Sequence, residues 1–348
     1  MATVDIMDFS SGQPTRGRVT VRVAAAVLLS VAVGSLLLAV PGLRGVGNEI
    51  AHMHLGWIAA AGALELASCA GFVVIFRLFF DELPAGPARE LAWAEEGSGA
   101  LLPGGGLGAL AIGGVLLRKA GMSTRSIIDR SSALFFLTSA INVSALIGGG
   151  LLFATGTAGG SLDLVRAGLP IAGALIATLA VLAVPRIITR SPQRGWPSWL
   201  VDLAAGIDRA RGSVRRPSWR LLGAVGYLGF DIAALGATFA AAGRPIAAAP
   251  LVLGYLIGYL ANLIPIPGGF GVLEGGLAGC LIAYGAPPTQ AAAAVVVYHA
   301  IAFWIPSLGG LAGFALLRRR LRPGHEVAPP PRRVTYSVAA ATSASVSQ

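Results

Sequence analysis

Residues 264–285 read IPIPGGFGVLEGGLAGCLIAYG, and residues 99–117 read GALLPGGGLGALAIGGVLL. Both are apolar enough for a lipid environment, yet each is broken near its start by proline and a run of glycines. A continuous helix through a bilayer is not expected of such segments. A broken or re-entrant helix is, because irregular backbone at membrane depth survives only where protein covers it. The two runs align as GGxG, Gly105-Gly106-Leu107-Gly108 against Gly268-Gly269-Phe270-Gly271. Each has a proline just upstream, a later glycine (Gly121 or Gly285), then a polar turn and a long apolar helix. This pattern reads as an internal repeat about 163 residues apart, the construction of secondary transporters whose discontinuous helices meet at the binding site. The plainer alternative is that two such runs coincide in a chain holding 48 glycines.

Around these segments the composition is that of a membrane protein. Mean hydropathy is +0.74, and 12% of the 348 residues are charged, about half the share in a soluble domain. Nearly uncharged windows recur at about 19–40, 55–80, 130–154, 165–188, 219–242, 246–264 and 290–317, each near the length a helix needs to cross a bilayer. The expectation is an all-α, polytopic bundle of seven or eight spans with two broken helices. Its parts are an N-terminal segment (1–18), a transmembrane domain (19–318) with a basic loop at about 189–218, and a proline-rich tail (319–348) with no apolar period. Residues 85–98, with Arg89, Glu90, Glu95 and Glu96 beside Trp93, read as an amphipathic stretch lying at the interface.

A net charge of +10 would suggest nucleic acid in a soluble protein, but here the cations cluster between the apolar segments. Arg16, Arg18 and Arg22 precede the first, eight arginines from Arg186 to Arg220 fill the central loop, and Arg318, Arg319, Arg320 and Arg322 follow the last. That is the positive-inside pattern of a multi-pass plasma-membrane protein with cytoplasmic termini. Charge counting makes the first broken segment re-entrant. It leaves the second either deeply inserted or crossing. No nucleic-acid partner is expected.

A helix that starts inside the membrane after Pro-Gly-Gly presents unpaired N–H groups and the positive end of its dipole, so an anionic group is its natural occupant. Gly105, Gly106, Gly108, Pro267, Gly268, Gly269 and Gly271 are therefore candidate head-group ligands. Ionisable residues within spans add to them, since each costs roughly 2.5 to 3.5 kcal/mol at a helix centre. Glu65 and Asp231 lie mid-span, and Glu274 sits one turn past the second PGGFG. Between Arg244 and Arg318 the only formal charge is Glu274, with His299 the only other group that titrates near neutrality. Arg130 and Asn262 complete the candidate set. For Glu65 and Asp231 a helix-to-helix bond is an equal alternative; for His299, a satisfied buried ring; for Arg130, snorkelling to the interface. Cys69 and Cys280 read as packing residues. The sequence offers no metal cluster, Walker loop or GxSxG motif. No cofactor, no metal and no enzymatic activity are expected.

The stretch from Tyr255 to Gly310, with PGGFGVLEG, YHAIAFW and Pro306, resembles the membrane region of lysylphosphatidylglycerol synthases, the flippase-like family that includes UPF0104 membrane proteins. LLPGGGLG and RSSALFFLTSAIN resemble its first-half elements, and the likeness extends over about residues 20–318. It implies a protein that moves phospholipid between leaflets, with membrane lipids of anionic or zwitterionic head group as partners. The chain ends in a short tail, so the aminoacyl-transfer domain of the full-length synthases is expected to be absent and a separate lipid synthase is a possible partner. Ala109, Leu110 and Ala111 stand where many relatives carry charge, and His299 where many have arginine, so the substrate is expected to differ from a cationic lipid. Two other readings stay open: a membrane-embedded lipid-carrier transferase, and a scaffold for a partner synthase. Oligomeric state is not legible.

Overall fold

The computed structural model describes residues 44–101, 106–157, 163–190, 195–260 and 272–320. Among the described residues the chain is helical throughout, with no strand. In order the helices are α1 (Arg44–Ala51), α2 (Leu55–Phe79), α3 (Ala85–Leu101), α4 (Gly106–Lys119), α5 (Thr124–Ala154), α6 (Leu164–Arg190), α7 (Ser198–Arg215), α8 (Leu222–Ala241), α9 (Ala248–Gly258), α10 (Val272–Ala283) and α11 (Pro288–Arg320). A 3-10 turn at Trp219–Leu221 leads into α8. The expected span at 19–40 lies outside the described residues.

Five of these elements are long and apolar enough to cross a membrane: α2, α5, α6, the Trp219–Ala241 stretch containing α8, and α11. Their ends follow local chemistry. Ser123 caps α5 by accepting the Ser126 N–H at 3.2 Å, and α11 opens on Pro288, whose missing N–H costs nothing at a first helical position. Leu169, Ile176 and Leu179 on α6 stay exposed, as expected of a helix that faces lipid.

Within the expected span at 246–264 the described α-helix, α9, has 11 residues, fewer than a bilayer core of about 30 Å needs; residues 261–264 lie outside the described residues. It lies antiparallel on the 12-residue α10, with Gly254 against Leu281 and Gly258 against Leu277. The 17-residue α3 and 14-residue α4 pack in the same manner, with Gly113 of α4 against the Glu95 carboxylate.

These pairs belong to a duplicated arrangement. Helices α2, α3, α4 and α5 begin at 55, 85, 106 and 124, and α8, α9, α10 and α11 at 222, 248, 272 and 288, a spacing of about 165 residues such as an internal repeat gives. Contacts obey the same exchange: α2 packs on α8, α3 on α11 as α9 on α5, and α3 on α4 as α9 on α10. Even single residues correspond. Gly313 of α11 abuts the Glu90 carbonyl of α3, while Gly149 of α5 abuts Val252 and Leu253 of α9. Gly121 and Gly285, after α4 and α10, both turn the chain with φ of 90° and 101°, a conformation that L side chains avoid. Gly121→Ala should therefore lower stability by about 1 kcal/mol, read as a drop in unfolding temperature in detergent, with Gly121→Asn milder.

The two short pairs start from opposite ends of the bundle. Helix α3 begins beside the arginine end of α11, where Arg320 donates to Glu90 at 2.8 Å. Helix α9 begins beside the other end, its Ala249 and Leu253 packed with Phe153 at the close of α5. Gly97 near the end of α3 touches Gly310, ten residues before Arg320 and hence about 15 Å in along α11.

Two expectations are corrected here. Residues 85–98 do not lie on a surface: Ala88, Glu90, Leu91, Ala92, Ala94 and Glu95 are buried, because Gly97, Gly310 and Gly313 let α3 and α11 touch backbone to backbone and Gly309 leaves room for the Trp93 ring. The arginine-rich segment expected as a loop at 189–218 contains helix α7, which lies on α5 with Gly206 against Ser132.

Candidate functional site

Helices α2 and α8 cross antiparallel, so tightly that Gly71 and Gly223 meet each other's backbone and the Ser68 hydroxyl donates to the Tyr227 carbonyl at 2.7 Å. One to two turns from that crossing, the two helices bring the carboxyl groups of Glu65 and Asp231 close together. Under the repeat these are near-equivalent positions.

Tyrosines close over this pair. The Tyr298 hydroxyl of α11 donates to Asp231 Oδ1 at 2.5 Å, and the Tyr255 hydroxyl of α9 donates to Oδ2. Tyr259 stacks on Tyr255 at 4.8 Å between ring centroids and lies close to Tyr298. Tyr227 of α8 lies beside Glu96, which reaches in from α3. Glu65 is 5% exposed; its Oε1 takes a long contact from the Cys69 thiol, and its Oε2 has no hydrogen-bond partner among the described residues. An interior acceptor without a partner is costly, which suits a site that receives a proton or a polar ligand. Among the described residues no group of His, Cys, Asp and Glu has metal-binding geometry.

On the next residue of α11, His299 Nδ1 lies 2.6 Å from Glu274 Oε1 of α10. His299 is buried and Glu274 half-buried, so a carboxyl and an imidazole face each other across the α10–α11 contact. All these groups share a depth: Tyr298 and His299 lie 10 and 11 residues into α11, and Glu65 and Asp231 each lie ten residues from a helix end, about 15 Å along a helix.

Of the sequence candidates, the structure brings together Glu65 with Asp231, and Glu274 with His299. Arg130 stands apart. At the start of α5 it donates to the Phe79 carbonyl at 2.6 Å and Glu82 at 2.5 Å, and contacts Asp81 at 3.4 Å, clamping the α2–α3 turn. Gly106 and Gly108 open α4. Gly105, Asn262, Pro267, Gly268, Gly269 and Gly271 lie outside the described residues. Tyr227, Tyr255, Tyr259, Tyr298 and Glu96 were not singled out from sequence. Tyrosine at 255, 259 and 298 in otherwise apolar runs was the available signal, since a buried phenol needs a partner.

A family profile for the lysylphosphatidylglycerol synthase TM region matches residues 24–310, most of the chain. The chain belongs to that family. No curated protein matches it. The match spans both halves of the duplication and every residue of the acid and tyrosine cluster, so the cluster is part of the family's membrane region in this chain.

Proposed function

We propose that this protein moves, or helps to move, a lipid with an anionic or zwitterionic head group between the leaflets of the bacterial plasma membrane. One observation carries the reading. Two short helical pairs start from opposite ends of the bundle, and beside their inner ends a carboxyl pair, four tyrosines and an acid–histidine contact share one depth. A polar head group crossing the hydrocarbon core loses several kcal/mol of hydration unless it finds such partners. Held at that depth, it is about equally far from either surface, while the acyl chains stay in lipid.

In this reading Glu65, Asp231, Glu274 and His299 line the path, and the glycine segments at 105–108 and 268–271 supply backbone N–H groups to the phosphate. Helices α3–α4 and α9–α10 act as opposed re-entrant pairs. The face bearing Arg118, Arg130, Arg190, Arg220 and Arg320 is cytoplasmic, which puts the end of α11 on that side. Counting α9 and α10 as one re-entrant pair agrees with the expectation of cytoplasmic termini.

The test is a translocation assay in proteoliposomes with fluorescent phosphatidylglycerol and a lysyl-phosphatidylglycerol analogue, with and without a pH gradient. Glu274→Gln should slow movement at least tenfold, the effect of losing one charge-assisted contact in a buried site, while Arg209→Gln at the basic face leaves the rate unchanged. Equal rates for wild type and Glu274→Gln would overturn the role given to the acid–histidine contact.

A further inference from the structure

A second site lies at the arginine end of the bundle, where α2, α3 and the turn before α8 enclose a cavity of about 280 Å³. Its rim carries Arg77, Arg89 and Arg220, with Trp93 and Trp219 beside them, and its wall is the apolar Ala70, Val73 and Val74 of α2. We propose that this cavity binds the phosphodiester of an anionic glycerophospholipid from the arginine-side leaflet, with the first part of an acyl chain along α2.

The charge balance argues for an anion. Among the described residues none of the three arginines pairs with a carboxylate, although acids are close in sequence. Asp81 and Glu82 are taken by Arg130, and Glu90 by Arg320. Arg220 donates one N–H to the Arg77 carbonyl at 2.7 Å, which fixes its guanidinium at the rim and leaves its other donors for a ligand. Arg89 reaches only the carbonyl of Ala85 on its own helix. Arginines that served topology alone would need no shared cavity. These three converge on one from separate elements.

The walls argue for a lipid over a free anion. From Arg77 to Ala70 the groove follows two turns of α2, about 10 Å of apolar surface below the cations. Trp219 is exposed and Trp93 is packed over Gly309, the amphipathic aromatic pair expected at head-group level. This site does not depend on the one at mid-depth. Glu65 lies twelve residues along α2 from Arg77, about 18 Å away, and none of the residues proposed above for translocation touches the cavity.

The experiment uses the full chain, purified from vesicles of phosphatidylcholine mixed with phosphatidylglycerol, with native mass spectrometry reading the ratio of the two lipids retained. Wild type should be enriched about tenfold in phosphatidylglycerol over the bulk, and Arg77→Gln with Arg89→Gln should bring the ratio close to bulk, as expected when two cations near a membrane surface are lost. The Lys/Lys version of the same pair should keep most of the enrichment and serves as the folding control. Arg209→Gln, at the same face on α7, should change nothing. Retention unaffected by the double glutamine variant would overturn the proposal, as would an equal loss from Arg209→Gln, which would indicate diffuse charge. Displacement of the lipid by inorganic phosphate, with the same arginine dependence, would overturn the lipid assignment in favour of a free anion. Asp231→Asn separates the two readings: it should stop translocation and leave lipid retention at the wild-type level.

Discussion

Replacing Gly310 with valine should pull α3 away from α11 and cost about 3 kcal/mol or more, at the upper end for adding bulk to a packed site. A Cβ at Gly310 would stand 2.6 Å from the Gly97 Cα and 2.9 Å from the Trp93 carbonyl, and a Cβ at Gly97 would meet Gly310 and the Pro306 carbonyl at 2.6 Å. Every one of these neighbours is backbone, so no rotamer change relieves the overlap. In lipid, helices are held by close packing of small residues and not by a hydrophobic drive, so the lost contact has little to replace it. The expected readout is a large fall in unfolding temperature in detergent, with new thiol labelling of a cysteine placed at Ala94. Gly275→Ala and Gly279→Ala on α10 are the controls, since a Cβ at either meets nothing within 4 Å; a loss equal to that of Gly310→Val would disprove the packing argument.

The second large effect is at Asp231. Asp231→Leu removes the acceptor for the Tyr255 and Tyr298 hydroxyls and the neighbour of Glu65 at once. Each buried group left unsatisfied costs about 1 to 3 kcal/mol, so the total is expected to match or exceed that of any single tyrosine change. Asp231→Asn separates stability from function: the amide still accepts from one tyrosine, and the other hydroxyl can turn to accept from the NH₂ group. The variant should therefore fold, with a modest drop in unfolding temperature, and lose lipid movement, because an amide at 231 can neither take up nor release a proton. Tyr255→Phe should cost about 1 kcal/mol and slow movement less than Asp231→Asn. A fully active Asp231→Asn protein would remove the carboxyl pair from the mechanism.

Much of the architecture was legible because it is written in local runs. The spans now seen as α2, α5, α6, α8 and α11 stand out by hydropathy, which depends on residue type alone. Between Arg244 and Arg318, Glu274 is the only formal charge and His299 the only other group that titrates near neutrality, and these two meet at 2.6 Å. Helix α3 was misjudged for an equally physical reason. Four charged residues in 85–98 give it the look of a surface helix. In the fold Glu90 is answered by Arg320, Glu96 lies beside Tyr227, and the Glu95 carboxylate lies over Gly113. Those partners come from α11, α8 and α4, and no window centred on α3 contains them.

Sequence by itself determined that the chain is an all-helical membrane protein and where its long helices run. Tertiary structure alone decided that α9 is half of a short antiparallel pair, that α3 is buried, and that Glu65 and Asp231 meet under four tyrosines. The division follows from the range of the forces. Helix formation and insertion depend on a residue's own transfer energy and its neighbours within a few turns. The meeting of two carboxyls from distant helices depends on where glycine lets backbones touch, and Gly71 against Gly223, with Gly97 against Gly310, are contacts that no local pattern specifies.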